Sequence, residues 1–221
     1  MVNKYTKYIR NRAPRPELHD KILLATKAMF YKQGIKQVRM DDIAKELTIS
    51  KRTLYEIFND KETLLLECIK YKHQQEESYL QALDLSNANV LEVVLRYYEY
   101  TMKELPHINP TFFEDMKKYP GVLAYMRSKR DQNFKDVVSY FTRGIEQGIF
   151  LPDVDMELFI RLLNLTFDHS MESEIYKQYP MDRVYRAILF THLRGIATEK
   201  GLAILNDFIR KHDEEQAKQE G

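Results

Sequence analysis

The residues best suited to chemistry lie between Ser50 and Lys61, where SKRTLYEIFNDK sets Lys51, Arg52, Thr53 and Tyr55 among the apolar Leu54, Ile57 and Phe58. At helical spacing Leu54, Ile57 and Phe58 share an inward face, and the polar four are left outside, with Ser50 placed to cap the helix. Ammonium, guanidinium, hydroxyl and phenol groups on one exposed face suit phosphate oxygens and base edges. A plain solvated face is the bland alternative. Catalytic chemistry has no comparable cluster. His19, His73, His107, His169, His192 and His212 show no HExxH spacing, Cys68 has no motif around it, and no glycine-rich phosphate loop occurs. The expectation is a protein that is not an enzyme and needs no metal or cofactor.

The elements that must position those side chains are helices. From Glu17 to Gln33, Ile22, Ala25, Thr26, Met29 and Phe30 recur at helical spacing, and Gly34 follows where a C′ residue sits. A short second helix spans about Met40 to Leu47, with Met40, Ile43, Ala44 and Leu47 on one face and Asp41 and Asp42 in the first turn. Thr48, Ile49 and Ser50 form the turn before the third helix, which runs through Phe58. Two short helices across a three-residue turn, braced by a longer one, make a helix-turn-helix, whose second helix reads bases with its N-terminal end.

Charge favours a polyanion partner. Residues 1–72 hold 16 Lys and Arg against 9 Asp and Glu, and the remainder holds 18 against 24, so the net +1 hides a basic first third. Residues 1–16 form a basic arm containing Lys4, Lys7, Arg10, Arg12 and Arg15, closed by Pro14 and Pro16. Hydrophobic residues at 44% and charged residues at 30% are ordinary for a folded chain, and the 7 Gly and 7 Pro mostly punctuate long periodic segments. The single cysteine and the charged N-terminus point to the cytoplasm, and no apolar run reaches the roughly 18 residues of a membrane span.

The segment Gly34 to Leu64, GIKQVRMDDIAKELTISKRTLYEIFNDKETL, resembles the DNA-binding domain of the tetracycline-repressor (TetR) family through DDIAKEL, SKRTLYEIF and DKETL in order. The resemblance is strong over residues 17–66 and architectural beyond. It implies an all-α chain with a helix-turn-helix DNA-binding domain at 17–66 and a helical effector-binding and dimerisation domain at 67–221. It further implies that Ser50 caps the recognition helix, that Lys51, Thr53 and Tyr55 face the groove, and that Lys61 holds a phosphate together with backbone N–H groups. Three positions depart from the pattern. Arg39 stands where Thr or Ser usually caps the second helix, though it still reaches phosphate. Thr48 stands where Gly is common, so either it bears strain or the turn takes another shape. Arg52 replaces a small residue, and its fork suits a bidentate contact with guanine.

Behind the reader, helices are expected at about 61–83, 90–105, 111–118, 122–147, 155–177 and 181–194, and Thr198 caps a last helix ending near Lys211 before a frayed polar tail. In the TetR family the last two long helices form a four-helix dimer interface and the middle helices enclose an effector pocket. Val184, Ile188 and His192, with Tyr185, Leu189 and Leu193 beside them, offer a wide apolar surface that suits packing on the chain's own core and on a partner, although the same breadth also suits monomer core alone. The aromatics Tyr97, Tyr98, Tyr100, Phe112, Phe113, Tyr125, Tyr140, Phe141 and Phe167 suit an aromatic or lipophilic effector, although such stripes are more often core. Asp168, His169 and Glu172 form the most suggestive polar cluster. The pocket is therefore expected at Tyr97, Tyr98, Phe112, Phe113, Tyr125, Phe167 and His169. The resemblance implies a homodimeric repressor of a palindromic double-stranded operator, released by a small molecule and with no membrane partner. A non-sensing nucleoid or division factor whose body only dimerises is the alternative.

Overall fold

The computed structural model describes residues 16–83 and 88–220, so the basic arm expected at 1–16 lies almost entirely outside the described residues. Ten α-helices follow one another: α1 Pro16–Gln33, α2 Met40–Glu46, α3 Lys51–Ile57, α4 Lys61–Ala82, α5 Val90–Met102, α6 Pro110–Met116, α7 Pro120–Glu146, α8 Met156–Glu172, α9 Met181–Ile196 and α10 Glu199–Glu220. Two 3₁₀ turns, Leu105–His107 and Ile175–Lys177, precede α6 and α9. Among the described residues extended pairing is limited to one isolated bridge, Phe150 with Ala197.

Helix starts follow local chemistry. Asp60, Asn89, Asn109 and Asp155 each accept a hydrogen bond from a backbone N–H in the first turn of the helix they precede. Thr198 caps α10, accepting from the N–H of Gly201 at 3.2 Å. Gly34 ends α1 at φ +82°, and a Cβ there would lie 2.4 Å from the Thr111 hydroxyl, so α6 closes on α1 only over a glycine.

Two apolar clusters organise the chain. The first joins α1 to α4 around Ile22, Phe30, Leu54, Phe58 and Leu64, and it also takes in Phe112 and Met116 of α6 and Val122 of α7. The second joins α5 and α7 to α10 around Leu91, Tyr98, Phe150, Leu193 and Leu205. Thus α6 and the head of α7, distant in sequence, complete the core on which the reader stands.

Three expectations change. The helix expected through Leu105 ends at Met102, and the one expected through Lys177 stops at Glu172, where Glu174 takes φ +58° and breaks the ladder. The tail is helical to Glu220 instead of frayed. Asp207 pairs with Arg210 and Lys211 and Arg210 with Glu214 at i,i+3 and i,i+4 spacing, and Arg186 of α9 holds Asp213 from the neighbouring helix, which together carry the helix onward.

Candidate nucleic-acid interface

Leu54 is fully buried and Phe58 nearly so, fixing α3 by two anchors worth roughly 1.5–3 kcal/mol each in apolar burial. With that face inward, Lys51, Arg52 and Tyr55 are exposed and Thr53 is half-buried. Ser50 caps α3: its hydroxyl accepts from the Thr53 N–H at 3.0 Å and lies 2.8 Å from the Thr53 hydroxyl. Thr53 is thereby engaged with the cap.

The two cations at the head of α3 are held by acids of the same unit. The Lys51 ammonium lies 2.7 Å from Asp41 of α2 and 5.8 Å from the Tyr55 ring centroid. Arg52 Nε donates to Glu56 at 2.8 Å, an i,i+4 pair that leaves both Nη groups uncommitted among the described residues. These bonds raise the affinity of both cations for their protons, so each is charged when it meets a polyanion.

Thr48 takes φ +53°, settling the alternative in favour of strain. The Thr48 N–H bonds the Lys45 carbonyl at 3.1 Å and the Ile49 N–H the Ala44 carbonyl at 3.0 Å, the paired bonds of a Schellman ending with Thr48 at the left-handed position. Thr48 is therefore a turn-former between α2 and α3. Arg39 precedes α2 with extended backbone and no side-chain cap; Asp42 compensates by accepting the Arg39 N–H at 2.9 Å.

Lys61 is placed otherwise than the resemblance implies. Its ammonium donates to the carbonyls of Ile35 at 2.9 Å and Val38 at 3.1 Å, with Lys36 at 3.4 Å, so all three protons are spent on the loop between α1 and α2. Partial burial lowers its pKa. Asp60 occupies the N-terminus of α4, accepting from Thr63 at 2.7 Å. Lys61 ties α4 to the reader from within.

Residues 22–68 match the sequence profile described as bacterial regulatory proteins, tetR family. That segment, which holds α2 and α3, is similar to the DNA-binding segment of this family. Among its relatives is the HTH-type transcriptional repressor KstR2 of Mycobacterium tuberculosis (strain ATCC 25618 / H37Rv), 27% identical over 146 residues, which are 63% of this chain and 72% of that protein. The structure of ketosteroid transcriptional regulator KstR2 of M. tuberculosis superposes with a TM-score of 0.55 at 22% identity, covering 84% of this chain and 98% of that one. A TetR-family regulator from Marinobacter aquaeolei VT8 superposes at 0.65 with 20% identity, covering 86% and 98%. The fold is shared with these solved structures, and the matched segment together with the repressor relatives supports a helix-turn-helix regulator of transcription that binds DNA.

In the helical body, the aromatics named from sequence separate into different environments. Phe112 belongs to the reader's core, edge-on to Tyr31 with centroids 5.0 Å apart. Tyr125 stacks on His73 at 5.7 Å, while Tyr98 sits in the second core against Phe190 at 4.8 Å. Tyr97 and Tyr185 are half-buried, with Phe167 stacked on Tyr185 at 5.2 Å; burial pushes the Tyr185 phenol up to about 12. Phe113 lines a recess of about 310 Å³ between the α6 end and the α8–α9 connection. The polar cluster does not converge: Asp168 is held by Arg130 through two 2.8 Å bonds, His169 is exposed, and Glu172 offers its carbonyl to Lys117. Cys68 is buried, donates to the Leu23 carbonyl, and has its pKa pushed up to about 12, so it is a protonated core thiol.

Of the apolar residues on α9 expected to serve both the chain's own core and a partner, Val184, Leu189 and Leu193 are buried in this chain, while Tyr185, Ile188 and His192 are half-buried. The exposed face lies on α8. Leu158, Leu162 and Leu165 are 51%, 49% and 61% exposed at i, i+4 and i+7, beside the exposed Ala187, Thr191 and Gly195 of α9. A signal was present: in MELFIRLLNLTF the polar stripe Glu157, Arg161 and Asn164 is narrow, and the remaining apolar arc is wider than one core-facing stripe needs.

Proposed function

We propose that this chain is a homodimeric repressor that inserts α3 into the major groove of a two-fold operator and leaves it when a small molecule binds. The observation that carries the reading is the Ser50-capped α3, anchored by Leu54 and Phe58, with Lys51, Arg52 and Tyr55 outward. In this reading the Lys51 ammonium exchanges Asp41 for a phosphate, the Arg52 Nη fork reads a guanine, and Tyr55 contacts the backbone or a thymine methyl. Arg39 reaches phosphate at the head of α2. Thr48 and Lys61 shape and hold the reader without touching DNA.

Dimerisation uses the α8–α9 face. In this reading the leucine ridge of one copy packs on the exposed small residues Ala187, Thr191 and Gly195 of another, where an added Cβ at Gly195 would meet nothing within 4 Å. The same patch then serves both copies, as a two-fold contact requires. Pairing the two readers sets half-sites about one helical turn apart. Among the described residues no helix is long and apolar enough to cross a membrane, in keeping with a regulator that acts on DNA in the cytoplasm. Genome-wide recovery of DNA bound by the full chain tests this: the expected result is a short two-fold motif upstream of a few genes. Uniform recovery along the genome would refute the operator reading.

A further inference from the structure

The cations of the reader are unevenly placed. Residues 40–57, from the head of α2 to the end of α3, hold three Lys and Arg against four Asp and Glu, so the unit that carries α3 is not itself basic. Lys51 lies 2.7 Å from Asp41 and Arg52 2.8 Å from Glu56, while Lys61 spends its protons on backbone carbonyls. When Lys51 exchanges Asp41 for a phosphate, it leaves an uncompensated carboxylate beside it, and the net electrostatic gain is small. Residues 1–72 carry seven more cations than acids, and five of the seven stand in residues 1–15, which contain no acid. The loop 34–39 adds Lys36 and Arg39.

The fold fixes where that charge is delivered. The arm joins it at Pro16, the first residue of α1. Within the next turn Leu18 packs on the reader's core, and the His19 ring lies against Phe58 with centroids 5.3 Å apart. Phe58 is the C-cap of α3. Residues 1–15 therefore enter the fold beside α3, and Arg10, Arg12 and Arg15 lie within six residues of that entry. At full extension a segment of this length spans up to roughly 50 Å, more than the about 34 Å of one duplex turn.

We infer that residues 1–15 bind the duplex phosphates flanking each half-site and supply the sequence-independent affinity that α2 and α3 lack. Resting on the reading of DNA by α3 proposed above, this divides the work: α3 chooses the sequence, and the arm sets how tightly any duplex is held. Each Lys or Arg that neutralises a phosphate releases condensed counterions, and that gain is the same for every sequence. The acidic body is the other polyanion within reach, but its excess of acids, 24 Asp and Glu against 18 Lys and Arg, is spread over the remaining two thirds of the chain. A duplex carries one negative charge per about 1.7 Å of its axis. Charge density favours the duplex.

The test is anisotropy of two labelled duplexes, the selected operator and one of unrelated sequence, with the full chain in about 50 to 200 mM potassium chloride. The variant carries Lys4→Gln, Lys7→Gln, Arg10→Gln, Arg12→Gln and Arg15→Gln together, and circular dichroism confirms that it is folded. Expected is at least a tenfold loss of affinity for both duplexes by a similar factor, with a salt slope shallower by about two to four per chain, at about 0.9 per phosphate. A second variant, with each of these Lys changed to Arg and each Arg to Lys, keeps the parent's affinity and slope. Unchanged or tighter binding by the neutralised variant overturns the inference, the tighter result placing the arm on the acidic body. Loss of the operator alone also overturns it, since the arm would then read sequence. Failure of the α3 reading looks different: the parent then holds both duplexes equally, and the effect of neutralising the arm is still read on the unrelated one.

Discussion

At Thr48 the backbone sits at φ +53° with the side chain exposed, so a β-branched residue occupies a left-handed position and gains no packing in return. Thr48→Gly is expected to stabilise the protein by about 1 kcal/mol, the relief of strain less the added freedom of the unfolded chain. Thermal unfolding checks this; an unchanged or lower midpoint contradicts it. Thr26 poses a different local problem in α1, because its hydroxyl is wholly buried without a partner among the described residues. Thr26→Val keeps the shape and removes the orphan group, and a gain of about 1 kcal/mol in urea unfolding is expected. Thr48 was legible as an anomaly from type alone, since glycine suits such a turn. Thr26 was legible only as a helical residue: whether a hydroxyl finds a carbonyl depends on rotamer and neighbours.

Element by element, α1 to α3 follow from spacing, caps and breakers, because a short helix with one inward face writes its register into the sequence. Lys61 shows where such reading stops. Its place at the head of α4 is local information, whereas its partners Ile35 and Val38 lie in another loop. Two measurements separate a tether from a phosphate contact. Lys61→Ala should lower stability by about 1–2 kcal/mol as carbonyls lose a charged donor, and should leave the salt slope of DNA binding unchanged. A slope reduced by about one, with full stability, would restore the phosphate role. The recess was illegible for the same reason as the tether: its walls come from residues 105–113 and 176–182, brought together by α6 packing on the reader. Aromatic content pointed towards the middle helices in general, but of the seven residues named for the pocket Phe113 alone lines this recess.

At the scale of the whole molecule, Leu158, Leu162 and Leu165 of α8 are the three most exposed large apolar side chains among the described residues. Leu162→Glu with Leu165→Glu places charges in the proposed dimer contact, and the expected outcome is a folded monomer by light scattering with operator affinity reduced by two orders of magnitude or more. A variant that stays dimeric would move the interface elsewhere. The basic first third and acidic remainder suit the same picture, with cations at the DNA end and acids away from it. The proposed reading of DNA by α3 is tested at two of its outward side chains. Lys51→Ala and Tyr55→Ala, each outside the core, should abolish the shift of the selected operator while the dimer and its melting temperature remain those of the parent. Retention of operator binding by both variants would contradict the account at its base.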